Sequence, residues 1–189
     1  MSLVKEGDEE AFIEIIRRYE KRLINFFYHL GWDYYMSEDL TQEVFLKVYR
    51  YRKSYAQTAA FKTFIYTIAK NLWIDHLRRA KHDPDRISLD TPVGSGLDRG
   101  LLRDVIQDEQ AREPSSRTEQ AEIADAIMKS VDTLDEQDQL IFMMIAKEKL
   151  KYKEVAEILD IPEGTVKSKL YYIYRKLRNR LKDYDPDEM

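Results

Sequence analysis

Residues 155–170 read VAEILDIPEGTVKSKL, and this stretch decides the fold of the second half of the chain. In a helix-turn-helix, a small residue lets two helices cross closely, a residue that tolerates positive φ makes the turn, and an apolar residue follows in the second helix. Ala156, Asp160 and Val166 occupy those three places. Aspartate enters the left-handed region more readily than most residues. Pro162 is acceptable because amides in a first helical turn have no helical partner, so the stretch predicts a helix-turn-helix.

The second helix of this unit has a basic face. An apolar stripe recurs at helical spacing through Val166, Leu170, Ile173, Leu177 and Leu181. The opposite face carries Lys167, Ser168, Tyr171, Tyr172, Arg175 and Arg178. Arginine and lysine reach phosphates or guanine edges, and serine and tyrosine donate to phosphate oxygens. The face therefore predicts a helix that reads DNA in a major groove, and a solvated face of an ordinary bundle helix is the alternative.

Charge is unevenly distributed along the 189 residues. The net charge of -4 argues superficially against nucleic acid. Residues 1–82 nevertheless hold 14 Lys/Arg against 11 Asp/Glu, and residues 147–182 hold 11 against 5. Residues 83–146 hold 6 against 15, and residues 183–189 add four acids. Two basic blocks therefore flank an acidic middle, a distribution that permits DNA binding.

The first part of the chain shows helical periodicity only. Asp8 is placed to cap a long amphipathic helix, and Gly31 is placed to end it. Ser37 is placed to cap a second helix, and a third runs from about residue 60 to residue 80. No alternating strand pattern competes with these helices.

Periodicity fades between the two helical parts. Residues 83–118 are rich in proline, glycine, serine and acids, a composition typical of a linker. We therefore predict an all-α fold of two small helical domains, residues 1–82 and residues 119–182, joined by a flexible acidic linker. Residues 183–189 form an acidic tail in this prediction.

The second helix carries a strip that apolar packing does not explain. Its apolar face is lined by Leu40, Val44 and Val48. The opposite face carries Asp39, Gln42, Glu43, Leu46 and Arg50. Charge complementarity steers docking and a leucine supplies an apolar anchor, so the strip favours a protein partner with basic residues. A solvated charged face is the alternative.

The third helix interleaves aromatic and basic residues. One face carries Tyr66, Lys70, Trp73 and Leu77, and the C-terminal end carries Arg78, Arg79 and Lys81. Single-stranded DNA needs aromatic planes on which bases stack and cations that neutralise phosphates. The pattern therefore favours contact with opened DNA, and packing of the aromatic rings in a core is the alternative.

Several functions are not expected. The chain has no cysteine, which excludes disulfides and thiolate metal sites. His29, His76 and His82 lie on different segments without pairing, so we expect no metal and no cofactor. A helical-bundle carboxylate enzyme would need Glu-x-x-His pairs, and none is present. We therefore expect no catalytic activity. The N-terminal residues lack the apolar run of a signal peptide, so we expect a cytoplasmic protein.

Three stretches resemble conserved regions of the extracytoplasmic-function (ECF, group IV) sigma factors of the sigma-70 family. Residues 37–50 and 61–79 resemble region two, and residues 155–170 resemble region four. The resemblance covers about residues 5–82 and 119–182, in the family's order. It implies a subunit that binds core RNA polymerase, recognises promoters and initiates transcription. The genes transcribed would belong to a stress or envelope-response regulon.

The resemblance also implies roles for individual residues. Core polymerase is bound through a strip that docks on the β′ clamp helices and consists of Asp39, Gln42, Glu43, Leu46 and Arg50. The β flap is a second polymerase contact of the chain. Minus-ten DNA is bound by Ser54, Gln57, Thr58, Tyr66, Lys70, Asn71, Trp73, Arg78 and Arg79. In this scheme the loop of residues 54–60, with Asn71, captures a base flipped out of the minus-ten element. Minus-thirty-five DNA is bound by Thr165, Lys167, Ser168, Lys169, Tyr171, Tyr172 and Arg175.

Two residues depart from the family pattern, and one alternative stays open. Phe64 stands where tryptophan is common, and Lys169 stands where arginine is frequent. Lysine lacks the flat bidentate fork of arginine. The resemblance further implies an anti-sigma factor, often held at the inner membrane. A stand-alone helix-turn-helix regulator is the alternative, and a stable homodimer on a palindromic target would favour it.

Overall fold

The structure is a computed structural model that describes residues 1–55, 60–82 and 126–181. All regular structure in these parts is helical, which confirms the predicted all-α class. The chain forms two compact units that divide after residue 106. No helix in the described ranges is long and apolar enough to span a bilayer. The predicted linker and the acidic tail lie outside the described residues.

The described part of the first unit contains four helices. These are α1 (Ser2–Lys5), α2 (Glu9–Gly31), α3 (Tyr34–Arg50) and α4 (Phe61–His82). α3 packs against both α2 and α4, and rings of α2 and α4 also contact each other, so the three long helices share one core. The largest buried side chains come from α2 and α4, and they include Leu23, Phe26, Phe27, Ile65, Tyr66 and Leu72. Burial of this apolar area is the main force that holds the unit together.

The two predicted helix starts differ in outcome. Asp8 caps α2, because its carboxylate accepts the N–H three residues later over 2.9 Å, which confirms the prediction. The predicted Ser37 cap is wrong, since α3 already begins at Tyr34. Asp33 is the cap and accepts the N–H three residues later over 2.9 Å. Ser37 is buried one turn inside the helix, where its hydroxyl donates to the Asp33 carbonyl.

The end of α2 lies one residue beyond the predicted position. Gly31 is still helical, and Trp32 takes the left-handed conformation with φ of 54°. A Cβ atom at Gly31 would collide with Met36 and lie 3.1 Å from the Trp73 ring. Close packing rather than positive φ therefore favours glycine at this position, and a larger residue would force the terminal methyl group of Met36 to move.

The described part of the second unit contains four further helices. These are α5 (residues 126–131), α6 (Glu136–Phe142), α7 (Tyr152–Leu159) and α8 (Glu163–Arg180). α6 continues into a π-helical turn, Met143–Lys147. α8 packs against α6 and α7, with Val166, Leu170, Ile173 and Leu177 buried. The predicted apolar stripe of the last helix is therefore its core face, except for Leu181, which follows the helix as its C-cap and is half-buried.

The helix-turn-helix prediction is confirmed. Ala156 and Val166 are buried where α7 and α8 approach each other. Asp160 ends α7 in the left-handed conformation, with φ of 54° and ψ of 49°. Pro162 is the N-cap of α8, so its missing N–H interrupts no helical hydrogen bond.

A second left-handed residue of this unit provides a stability prediction. Lys149 has φ of 55° in the turn before α7, and its side chain is exposed. Left-handed backbone costs a residue with a Cβ about 1 kcal/mol more than it costs glycine. We expect Lys149→Gly to raise the free energy of unfolding by roughly 0.5–1 kcal/mol. Hydrogen exchange of the buried α7 and α8 amides measures this free energy for the second unit alone.

The control for this prediction is Lys147→Gly, which changes an exposed lysine inside the π-helical turn. Glycine within a helix adds conformational entropy to the unfolded chain, so this variant is expected to be less stable by a similar amount. Equal loss of stability in both variants would contradict the strain assigned to Lys149.

Candidate functional site

The predicted acidic strip lies on the exposed side of α3. Its exposed members are Asp39, Gln42, Leu46 and Arg50. Glu43 is half-buried, and its carboxylate lies 3.7 Å from the Lys47 ammonium. Leu46 is 67% exposed, although Phe45 and Val48, close to it in sequence on the same helix, are buried. Because Leu46 contributes little to the core, its apolar surface is available to a partner.

The prediction that Tyr66 and Trp73 face DNA is corrected by the structure. Tyr66 is fully buried and Trp73 is 3% exposed. The Tyr66 ring meets the Phe26 ring edge-on at 5.3 Å, and Trp73 stacks on His76 at 5.6 Å. Burial and the charge of Arg79 lower the pKa of His76, so the stacked imidazole is neutral at neutral pH. Large rings at helical spacing pack in the core because they remove the most apolar area from water.

The exposed face of α4 lies about a third of a turn away from the predicted one, at ~100° per residue. It carries Asn71, Ile74 and Arg78, with Phe64 and Thr67 half-buried along the same line. Arg78 donates to the Asp75 carboxylate over 3.0 Å, Arg79 is exposed nearby, and Lys70 is half-buried at the border. Sequence reasoning selected Asn71 and Arg78 but missed the other three. The signal was their helical spacing from Asn71, which is three residues for Ile74, four for Thr67 and seven for Phe64.

Tyr55, which precedes α4 in the chain, packs against aromatic rings of that helix. Tyr55 is buried, its ring lies 5.0 Å from that of Phe64, and burial raises its pKa. Ser54 is exposed beside it, and its hydroxyl donates to the carbonyl three residues earlier. Gln57 and Thr58 lie outside the described residues. The buried Tyr55 ring therefore packs on Phe64, at the edge of the exposed face of α4.

The outward face of α8 is exposed as predicted. It presents Lys167, Ser168, Tyr171, Tyr172, Arg175 and Arg178, with Thr165 half-buried in the first turn. The rings of Tyr171 and Tyr172 meet edge-on at 5.5 Å. The Lys167 ammonium lies 2.7 Å from the Glu163 carboxylate. That hydrogen bond and the charge of Glu163 raise the pKa of Lys167, so its cation persists at neutral pH.

Lys169 does not belong to this face, which corrects its predicted DNA contact. Its ammonium lies 2.8 Å from one carboxylate oxygen of Asp138, and that of Lys176 lies 3.6 Å from the other. Asp138 is buried in the first turn of α6. Burial alone would raise the pKa of the neighbouring Asp135. The hydrogen bond from the Asp138 N–H and the charge of Lys169 outweigh burial, so the pKa of Asp135 is lowered. Sequence reasoning missed Asp138, because 31 residues separate it from Lys169.

Comparison with known proteins assigns both units. The model for Sigma-70 region 2 matches residues 15–82, and the model for Sigma-70, region 4 matches residues 124–177. The ECF RNA polymerase sigma factor SigW of Bacillus subtilis is 28% identical over 180 residues, covering 95% of this chain and 94% of SigW. The chain belongs to the ECF sigma factors of the sigma-70 family. It is thus a promoter-recognising subunit of RNA polymerase.

Further relatives of this ECF sigma factor agree in length and fold. The sigma-E factor of Escherichia coli K12 is 25% identical over 182 residues, covering 94% of this chain and 90% of the relative. The solved sigma factor RpoE of Bartonella quintana, in complex with the anti-sigma factor NepR, is 20% identical. That structure has a TM-score of 0.67 and covers 92% of this chain and 98% of its own.

In this sigma factor, the two matched regions account for most of the described helices. The region 2 match spans most of α2 together with α3 and α4. The region 4 match spans α5 to α7 and most of α8. Sigma factors are generally not enzymes. Among residues 1–55, 60–82 and 126–181, no group of three or more histidine or acidic side chains could hold a metal ion.

Proposed function

We propose that this sigma factor divides promoter recognition among three exposed faces. The α3 strip docks on core polymerase, the exposed face of α4 binds the opened minus-ten element, and the outward face of α8 reads the minus-thirty-five element. Residues 1–82 and 119–182 act as the two modules, and residues 83–118 link them. One observation supports the proposal. Both units bury most of their large apolar side chains, yet each of the three faces stays exposed and carries the charged, polar or apolar groups that its partner needs.

The α3 strip fits a basic partner such as the β′ clamp helices. Asp39 and Glu43 supply negative charge, and Leu46 supplies an apolar anchor between them and Arg50. Hot spots in interfaces are apolar anchors surrounded by polar contacts, which this arrangement provides. The β flap is the proposed contact of region 4. Both contacts place the function in the cytoplasm, where the polymerase works.

The exposed face of α4 fits an extruded base and its strand. Asn71 offers one amide with donors and an acceptor, which can read the Watson–Crick edge of a base. Ile74 and the half-buried Phe64 offer apolar surface on either side, and Arg78 offers countercharge. Unstacking a base costs a few kcal/mol, which such contacts offset. Promoter opening then follows from binding alone, without covalent chemistry.

We expect Asn71→Ala to abolish discrimination at one promoter position. With the wild-type protein, replacing the flipped base reduces open-complex formation about tenfold or more, whereas with the variant both promoters react alike. Permanganate reactivity of unpaired thymines measures open complex on each of the four protein and promoter combinations. If the base change has the same effect in both proteins, Asn71 does not read that base.

The outward face of α8 fits a major groove. Arg175 and Lys167 supply cations, and the tyrosine pair supplies hydroxyl donors and apolar ring edges. Such edges contact thymine methyl groups, while arginine reads guanine. Thr165 and Ser168 lie in the first two turns of α8, where hydroxyls can meet phosphates.

Regulation by an anti-sigma factor is proposed from the solved relatives. RpoE was solved with the anti-sigma factor NepR, and CnrH was solved with the cytosolic domain of CnrY. CnrH is 17% identical, with a TM-score of 0.64 over 97% of this chain and 95% of its own. An anti-sigma factor for this chain would cover the α3 strip, because that strip is needed for docking. An inner-membrane anti-sigma factor would hold the chain at the membrane until a stress or envelope signal arrives.

Transcript mapping tests the proposed function. The purified chain and core RNA polymerase are incubated with fragmented genomic DNA of the source organism, and the run-off transcripts are sequenced. We expect start sites that share a pair of upstream motifs. Transcripts indistinguishable from those of core polymerase alone would contradict the proposal.

A further inference from the structure

The ion pairs of Asp138 join α8 to another helix at two points. The Asp138 side chain is 7% exposed and belongs to α6. Lys169 lies 2.8 Å from one of its oxygens and Lys176 lies 3.6 Å from the other. These lysines are seven residues, about two turns, apart on α8. A single buried carboxylate therefore fixes a two-turn length of α8 against α6.

The same ion pairs decide where two cations of α8 point. Lys169 and Lys176 lie on the flank between the buried stripe and the outward face, at ~100° per residue. Their side chains are 30% and 55% exposed, so both remain close to solvent. Lysine has a long flexible stem and can turn from one anion to another. Without Asp138, phosphates of DNA bound to the outward face would be within the range of these stems.

Stability alone does not account for this arrangement. A buried ion pair often adds little to stability compared with apolar residues of similar volume. Asp138 also lies in the first turn of α6, where its N–H donates to Asp135 over 2.8 Å and the helix dipole already favours an anion. Both lysines that pair with the Asp138 oxygens come from the helix that we propose as the DNA reader, so the contacts that neutralise the buried charge also decide where two cations of that helix lie.

We propose that Asp138 is a positioning residue for minus-thirty-five recognition, an inference that rests on the proposed role of α8. It fixes the orientation of α8 and withholds Lys169 and Lys176 from phosphates. Phosphate contacts carry no sequence information, so withholding them lowers affinity for every DNA. A fixed α8 preserves the base contacts. Because a uniform loss of phosphate contacts leaves the ratio of specific to nonspecific binding unchanged, Asp138 raises this ratio through the fixed orientation of α8.

Asp138→Asn tests this inference, because asparagine keeps the shape and removes the charge. Holoenzyme binding is measured against salt on a mapped promoter and on the same DNA with a scrambled minus-thirty-five element. We expect tighter binding to the scrambled DNA, a salt slope steeper by about 1–2, and a specificity ratio lower by about tenfold. The matched control is Asp132→Asn, an exposed acid of the same unit, which should leave the ratio within about twofold.

Each outcome separates the possible roles. Weaker binding to both DNAs with an unchanged salt slope would assign Asp138 to folding alone and overturn the inference. A wild-type holoenzyme that does not distinguish the two DNAs would overturn the role of α8, and this inference with it. If circular dichroism shows that Asp138→Asn unfolds, the combined variant Asp138→Leu, Lys169→Met and Lys176→Met is used, because it leaves no unpaired charge. It should have the wild-type salt slope and a reduced ratio, and an unreduced ratio would overturn the inference.

Discussion

Leu46→Lys is expected to weaken binding of the chain to core RNA polymerase by about 30-fold, or on the order of 2 kcal/mol. Leu46 is the exposed apolar side chain of the α3 strip. A lysine there removes the anchor and places a cation against a partner that we propose to be basic. Titration of labelled chain with core polymerase measures the dissociation constant.

The variant should fold normally, because Leu46 is 67% exposed and no core contact is lost. Ile13→Lys is the matched control. It makes a similar change at an exposed apolar residue of α2 in the same unit, and is expected to change the dissociation constant less than about twofold. Equal effects of the two changes would show that general surface apolarity, and not the α3 strip, mediates docking.

Tyr66→Ala is expected to lower the free energy of unfolding of the first unit by about 3–5 kcal/mol. Tyr66 is one of the largest fully buried side chains, and its ring packs edge-on against Phe26. Removing it leaves a cavity in a close-packed core. Both tryptophans, Trp32 and Trp73, lie in this unit, so tryptophan fluorescence during urea unfolding reports on this unit specifically.

Tyr35→Ala is the control, since Tyr35 is exposed on α3 and its truncation should change stability by less than about 1 kcal/mol. The comparison separates a core residue from a DNA contact. A Tyr66 that contacted DNA would behave like Tyr35 in urea and differ only in promoter opening. A stable Tyr66→Ala protein would therefore contradict the packing described for α4.

The sequence was sufficient for the features that depend on local chemistry. The left-handed turn at Asp160 and the cap at Asp8 follow from the conformational preferences of aspartate, and the structure shows both. The apolar stripe of α8 follows from helical periodicity, which reports directly on burial. The resemblance to sigma regions two and four came from longer stretches of sequence and is supported by both family models.

Features that depend on tertiary contacts could not be predicted in this way. An aromatic residue at helical spacing can lie in the core or at an interface, and only the packing of α4 on its neighbours decides that Tyr66 is inside. The exposed face of α4, which includes Phe64 and Ile74, follows only when it is known that Tyr66 faces the core. The Asp138 ion pairs join residues that are distant in sequence, so no local pattern indicates them. Ser37 and Asp33 are both residue types that cap helices, so the local sequence does not decide between them, and the structure places the cap at Asp33.

Photo-cross-linking in the open complex tests most directly the central claim that three faces serve three partners. A benzophenone side chain is placed singly at the exposed positions Leu46, Asn71 and Tyr172 of the full chain, bound to core polymerase on a mapped promoter. The account predicts cross-links from Leu46 to β′, from Asn71 to the minus-ten element and from Tyr172 to the minus-thirty-five element. Cross-links from Leu46 to DNA, or from Asn71 and Tyr172 to polymerase subunits instead of DNA, would contradict it.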